Sequence, residues 1–200
     1  MSLYRDQLEN FLKNFNITAV NLLDIGGSAY PLEKRVKTWD VQNYYIFDNN
    51  NEEAFHEKWK APDVVGDICL PHTFWKWSDD VPYSFDYITM LEVAEYLLDP
   101  VQALRHVSSL LDSGGRFLSS WPTIYPLHQP VDSDRLRYSL NWIKDAFKVA
   151  DLHIDITVPR KLTVGAPGMI EAYTLEGMRM AKYNDSVMDM GYIVLATKLN

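Results

Sequence analysis

Leu22-Leu23-Asp24-Ile25-Gly26-Gly27-Ser28 constrains this chain more than any other stretch. A run of apolar residues carrying one carboxylate near its end reads as a buried strand, and the glycines after it read as a tight turn. Without bulky side chains, such a turn presents bare amide N–H groups, and with the N-terminus of a following helix it can face a nucleotide-like ligand. A glycine pair after a strand can also be only a turn, and the carboxylates farther along the chain decide between the two.

The rest of the chain alternates in the same way. Leu3, Leu8, Phe11, Leu12 and Phe15 fall near helical spacing after Ser2, which predicts an amphipathic helix over 2–15. The strand at about 21–25 is followed by a short helix carrying Leu32 and Val36, then by a second strand, Tyr44 to Asp48, that Asn49, Asn50 and Asn51 break. Residues 52–60 read as helix and Asp63 to Asp67 as a third strand; Ser84 to Leu91 supplies a fourth. Pro100 suits the first position of a helix with Val101, Leu104, Val107, Leu110 and Leu111 inward, and Gly114-Gly115 is expected to end it. A fifth strand over Arg116 to Trp121, a helix with Leu140, Ile143 and Phe147, and strands near 152–158 and 191–198 complete the pattern. Strands alternating with helices imply a mostly parallel sheet with helices on both faces.

In such sheets ligands lie beyond the carboxyl ends of the strands. Asp24, Asp48, Asp67 and Glu92 are all expected at that edge, and Asp48 follows Gly26 by 22 residues, near the spacing at which an acid reaches ribose hydroxyls. Clustered acids repel unless a ligand or solvent separates them, so the arrangement points to a site.

These motifs together resemble class I S-adenosylmethionine-dependent methyltransferases from about residue 20 to the last strand. Asp24, Gly26, Gly27 and Ser28 resemble the turn beneath the methionine part of S-adenosyl-L-methionine. Asp48 resembles the ribose-binding acid with Asn49 beside the adenine, and Gly66-Asp67-Ile68 resembles the adenine-reading motif. Leu91 and Glu92, within Leu91-Glu92-Val93-Ala94-Glu95-Tyr96 and before Asp99-Pro100, resemble the fourth-strand signature. The usual third glycine is replaced in Ser28-Ala29-Tyr30-Pro31, and Tyr96 stands where a histidine often follows. The resemblance implies one α/β domain over 1–200. Its fold is a Rossmann-like doubly wound sheet of seven strands, mostly parallel with an antiparallel C-terminal strand, and an N-terminal helix over 1–16 packs on the sheet or covers the site.

The implied reaction is in-line methyl transfer to a small molecule or modest polar acceptor, in which the cofactor brings activation and the protein alignment. His128 is the candidate base, with Glu92 second, although a lone histidine in a polar loop is most often a surface residue. The stretch Trp121 to His128 could wall an acceptor pocket or simply pack. Trp75 and Trp77 suit packing better than base stacking, Arg135 and Arg137 could grip an anion or be solvated, and Met178, Met180, Met188 and Met190 could form a lid or fill a core. A non-catalytic methyltransferase-like scaffold is the alternative, and a nicotinamide oxidoreductase fits less well.

Composition narrows the partners. A net charge of −8 argues against the broad basic surface that nucleic acid usually requires and leaves room for a local basic patch. Cys69 is the only cysteine, which rules out an intrachain disulfide and a Cys-rich zinc site, and no metal is expected. With no apolar run of membrane-spanning length and no signal pattern at Met1 to Asp6, a cytoplasmic protein without membrane attachment is expected. Oligomeric state and the acceptor's identity are not encoded in any of these patterns.

Overall fold

The structure, a computed structural model, describes residues 3–49, 60–125, 127, 130–163 and 187–199. Eight strands form one sheet in the order β4-β3-β2-β1-β5-β6-β8-β7. They are β1 (Asn16–Ile25), β2 (Thr38–Asp48), β3 (Val64–Val65), β4 (Lys76–Trp77), β5 (Phe85–Met90), β6 (Leu111–Pro122), β7 (Leu152–Thr163) and β8 (Val187–Lys198). The pairs β1–β2, β2–β3, β1–β5 and β5–β6 are parallel. β8 runs antiparallel between β6 and β7, as expected for the C-terminal strand. The eighth strand corrects the expected seven: Lys76 and Trp77 pair antiparallel with Val65 and Val64, closing the β3 edge with two residues, too few to carry a period.

Alternation along the strands sorts side chains to two faces. Tyr87, Leu118, Ile193 and Leu195 meet Leu8 and Leu12 of α1 (Leu3–Leu12) on one side. Ile88, Phe117, Val194 and Ala196 meet α2 (Pro100–Leu110) and α3 (Leu140–Val149) on the other. Asp99 caps α2 by accepting the Gln102 amide at 2.9 Å, with Pro100 in the first turn. Ser139 caps α3 through the Trp142 amide at 3.2 Å. Each cap satisfies one of the amides that a helix start leaves open.

Three local expectations change. β1 and β2 start earlier than their apolar cores suggest: Ile17 and Ala19 alternate inward against α1, and Asn16 pairs in register with Thr38. α2 ends at Leu110, where Leu111 turns to extended backbone, so Gly114-Gly115 does not terminate it. The pair instead lies in β6, where pairing jumps from Phe85–Leu111 to Tyr87–Arg116 and Gly114 takes a φ of 75°. The bulge needs glycine because only glycine adopts that φ without strain. The expected helix at 52–60 lies outside the described residues except for Lys60.

Candidate functional site

The chain steps outward from β1 to β2 and β3, then returns to β5 on the other side of β1, so strand order reverses between β1 and β5. A crevice opens at the carboxyl ends of strands at such a reversal. Gly26 donates its N–H to Phe47 O at 2.8 Å and has a φ of 78°. A Cβ on Gly26 would overlap Val93 Cγ2, and one on Gly27 would lie 2.5 Å from Asp24 Oδ2. Both glycines are therefore required by the protein's own packing. The turn does not lead into an α-helix: a single 3-10 turn, Leu32–Lys34, stands where the sequence predicts a short helix, so the N-terminus of an α-helix contributes nothing here. Pro31 just before it and the seven-residue span from Ser28 to Lys34 leave little room for a longer helix.

The four acids differ in their environments. Asp24 lies one residue before the end of β1 and is 4% exposed; its carboxylate accepts Thr89 Oγ1 at 2.6 Å and Tyr44 Oη at 2.5 Å. Burial pushes its carboxyl up from the ordinary range, and these two hydrogen bonds pull it back. It is thus tied into the sheet between β2 and β5 instead of standing at the edge. Asp48 ends β2, half-buried, accepting Ser28 N–H at 3.2 Å and Asn49 N–H at 2.9 Å. Burial raises its pKa, and the bonds from Ser28 and Asn49 oppose the rise. Beside it the buried Ser28 side chain also acts on the Asp48 carboxylate.

Asp67 lies two residues beyond β3 and spends Oδ1 on the Cys69 amide at 2.8 Å, while its carbonyl accepts Trp75 Nε1. The Ile68 carbonyl meets His106 Nδ1 at 2.7 Å. A carbonyl only accepts, so Nδ1 carries the proton and Nε2 accepts from Gln102 Nε2 at 2.9 Å. Leu91, after β5, is buried in the α1-side core. Glu92 takes a φ of 57°, donates its N–H to Ser120 Oγ at 2.8 Å and receives Ser120 Oγ–H on Oε1 at 2.9 Å.

Sequence reasoning missed what holds Glu92. Arg160 of β7, 1% exposed, donates from Nη1 to Glu92 Oε1 at 2.6 Å and from Nη2 to the Tyr4 carbonyl at 2.5 Å. Its guanidinium carbon lies 3.0 Å from the Tyr4 ring centroid, and Tyr4 in turn packs on Tyr125 at 4.2 Å. An arginine inside an otherwise pairing strand was the available signal. The Glu95 carboxyl is also buried; burial first, then the Glu92 charge, pushes it up to about 8.

The other candidates divide cleanly. His128 lies outside the described residues, as do Met178 and Met180. Trp121 is a core residue packed edge-on against Tyr138 and Phe147, and Trp75 is packed against Phe47. Arg137 pairs with Asp134 at 2.5 Å, and Arg135 donates to Ser133 O at 2.7 Å. Among the described residues no cluster of three His, Cys, Asp or Glu is arranged to hold a metal, and no helix is long and apolar enough to cross a membrane.

The residues at this edge fit a nucleoside-type methyl donor. Asp48 retains acceptor capacity on both oxygens, and Gly26, Gly27 and Ser28 beside it carry no bulky side chain. Sheet order and site together define a class I methyltransferase fold. The chain belongs to the methyltransferase-domain family, whose model matches residues 2–159. No curated protein matches the sequence. Among solved structures, the chain is similar to the YcgJ protein of Bacillus subtilis, with a TM-score of 0.57, 16% identity and 98% of each chain covered. It is also similar to the N-methyltransferase NodS of Bradyrhizobium japonicum, with a TM-score of 0.55, 14% identity, and 98% of this chain and 97% of that one covered. An S-adenosylmethionine-dependent methyltransferase of Mesorhizobium loti gives a TM-score of 0.57 at 12% identity, with 98% of each chain covered.

Proposed function

We propose that this protein binds S-adenosylmethionine and transfers its methyl group to a small polar acceptor. The observation that carries the reading is the Asp48 carboxylate at the end of β2, which pairs with the Ser28 amide across the glycine turn and keeps acceptor capacity on both oxygens. When bound, the donor supplies a methyl carbon already activated by a sulfonium, so the chain's work is binding, alignment and exclusion of water. Asp48 accepts the ribose hydroxyls, and Asn49 flanks the adenine. Asp67 accepts the adenine amine while the Ile68 N–H meets the ring. His106 fixes the Ile68 segment by holding its carbonyl. The backbone of Gly26 and Gly27 runs beneath the methionine portion, and Leu91 and Glu92 border it at the end of β5.

Calorimetric titration with S-adenosylmethionine and S-adenosylhomocysteine, on the wild type and on Asp48→Ala, tests this reading. Micromolar binding weakened at least tenfold by the substitution is expected. Binding that is unchanged removes Asp48 from the ribose, and absence of binding in the wild type overturns the methyl-donor reading.

A further inference from the structure

Trp75 lies between the 3-10 turn His72–Phe74 and β4, eight residues past Asp67, yet its indole is built into the loop that follows β3. It is 7% exposed, and Phe47, His106 and Trp77 close around it with ring centroids at 5.0, 5.4 and 6.1 Å. The indole Nε1–H donates to the Asp67 carbonyl at 2.9 Å. The ring also lies so close to the chain that a Cβ on Gly66 would sit 2.5 Å from Trp75 Cδ1. Packing accounts for the ring, and the hydrogen bond lets it act on the loop.

A trans peptide sets its C=O and N–H on opposite sides. The Asp67 carbonyl and the Ile68 N–H share one peptide, so the bond to Trp75 turns the Ile68 N–H away from the indole. The Leu70 N–H, 2.9 Å from the same carbonyl, adds a second hold. The next carbonyl, that of Ile68, is held by His106 Nδ1 at 2.7 Å, and the His106 ring meets Trp75 edge-on. Two consecutive peptides are thus fixed by two side chains that touch each other. Asp67 Oδ1 accepts the Cys69 N–H at 2.8 Å, which leaves Oδ2 for a ligand.

Resting on the methyl-donor reading above, we propose that Trp75 is a positioning residue that makes the site select adenine over a purine carrying a proton on N1, by fixing the peptide between Asp67 and Ile68. Adenine offers an acceptor at N1 and a donor in its amine, which complement the Ile68 N–H and the Asp67 carboxylate. Hypoxanthine offers the reverse, a donor at N1–H and an acceptor in its carbonyl, so donor meets donor and acceptor meets acceptor. A site whose polar groups are left mispaired in this way rejects the wrong ligand strongly. With the indole bond removed, the peptide is left to the Leu70 bond and is freer to turn its carbonyl toward the base, where that carbonyl accepts N1–H instead.

The test titrates the full-length protein with S-adenosylhomocysteine and S-inosylhomocysteine, which differ only on this edge of the base. The wild type should prefer the adenosyl compound by about a hundredfold or more. In Trp75→Phe the ratio should fall about tenfold, through weaker adenosyl binding with inosyl binding unchanged or tighter. Gly66→Ala, whose Cβ displaces the indole without deleting it, should show the same selective loss, and it decides the matter if Trp75→Phe does not fold. Phe147→Leu removes core packing against Phe117 and Trp121 instead and should keep the wild-type ratio. Equal losses for both compounds, an unchanged ratio in Trp75→Phe and Gly66→Ala, the same fall in Phe147→Leu, or a wild type that binds both compounds alike overturns the proposal and leaves Trp75 a packing residue. If the wild type binds neither compound, the methyl-donor reading falls and the proposal falls with it.

Discussion

Asp24 and Thr89 meet across the strand-order reversal, with Thr89 Oγ1 donating to Asp24 Oδ1 at 2.6 Å inside the sheet. Because Tyr44 Oη donates to the other carboxylate oxygen, the acid ties β1 to both of its neighbours at the point where the crevice opens. Asp24→Asn replaces one acceptor oxygen with an amide NH2 that faces a hydroxyl donor. Urea unfolding should show a loss of about 2–3 kcal/mol, in line with an unsatisfied buried polar group. Stability within about 0.5 kcal/mol of wild type would remove Asp24 from the structural role.

Glu95 makes stability depend on pH. Its carboxyl titrates at about 8 in the folded chain against 4.5 for an ordinary glutamate, so between those values the folded state holds a proton that the unfolded chain has released. The stabilisation is fully present below 4.5, falls as pH rises, and is lost by about 8. Denaturation midpoints of wild type should fall between about pH 5 and pH 8, whereas those of Glu95→Gln should change far less. Parallel profiles for the two proteins would count against it.

Gly26→Ala should destabilise by about 2–4 kcal/mol, from its left-handed φ together with the clash with Val93. Val93→Ala in the same chain should recover the steric part and leave about 1 kcal/mol of backbone strain. A double-mutant cycle measured by urea unfolding separates the two, and an absence of coupling would show that Val93 yields freely.

Arg160→Met leaves the Glu92 carboxylate without its cation, and a loss of about 3 kcal/mol is expected. Arg160→Lys should recover little, because one ammonium cannot span Glu92 and the Tyr4 carbonyl as the planar fork does. Hydrogen exchange in α1 should rise in both variants; protection equal to wild type would show that α1 does not depend on Arg160.

The strand ends and the glycine turn were legible in the sequence because each is local. Asp48 closes β2 where its apolar run stops, Pro100 opens α2 after Asp99, and Gly26 must occupy a left-handed turn, all within a few residues. The alternation of strands with helices also implied a sheet covered on both faces, as the two cores show. What periodicity could not give was the two-residue β4 and the bulge at Gly114-Gly115, which depend on register with partners elsewhere in the chain.

The amino-acid sequence by itself determined the family, the alternation of strands and helices and the carboxylates at or near the ends of β1, β2, β3 and β5, because those rest on short-range spacing. Only the tertiary structure decided which polar groups share an environment. Asp24 turned inward to Thr89, 65 residues away, and Arg160 reached Glu92 and Tyr4 across 68 and 156 residues. Burial sets the chemistry of such groups through desolvation and through the charges brought beside them, and neither exists until β7 and α1 close over the end of β5.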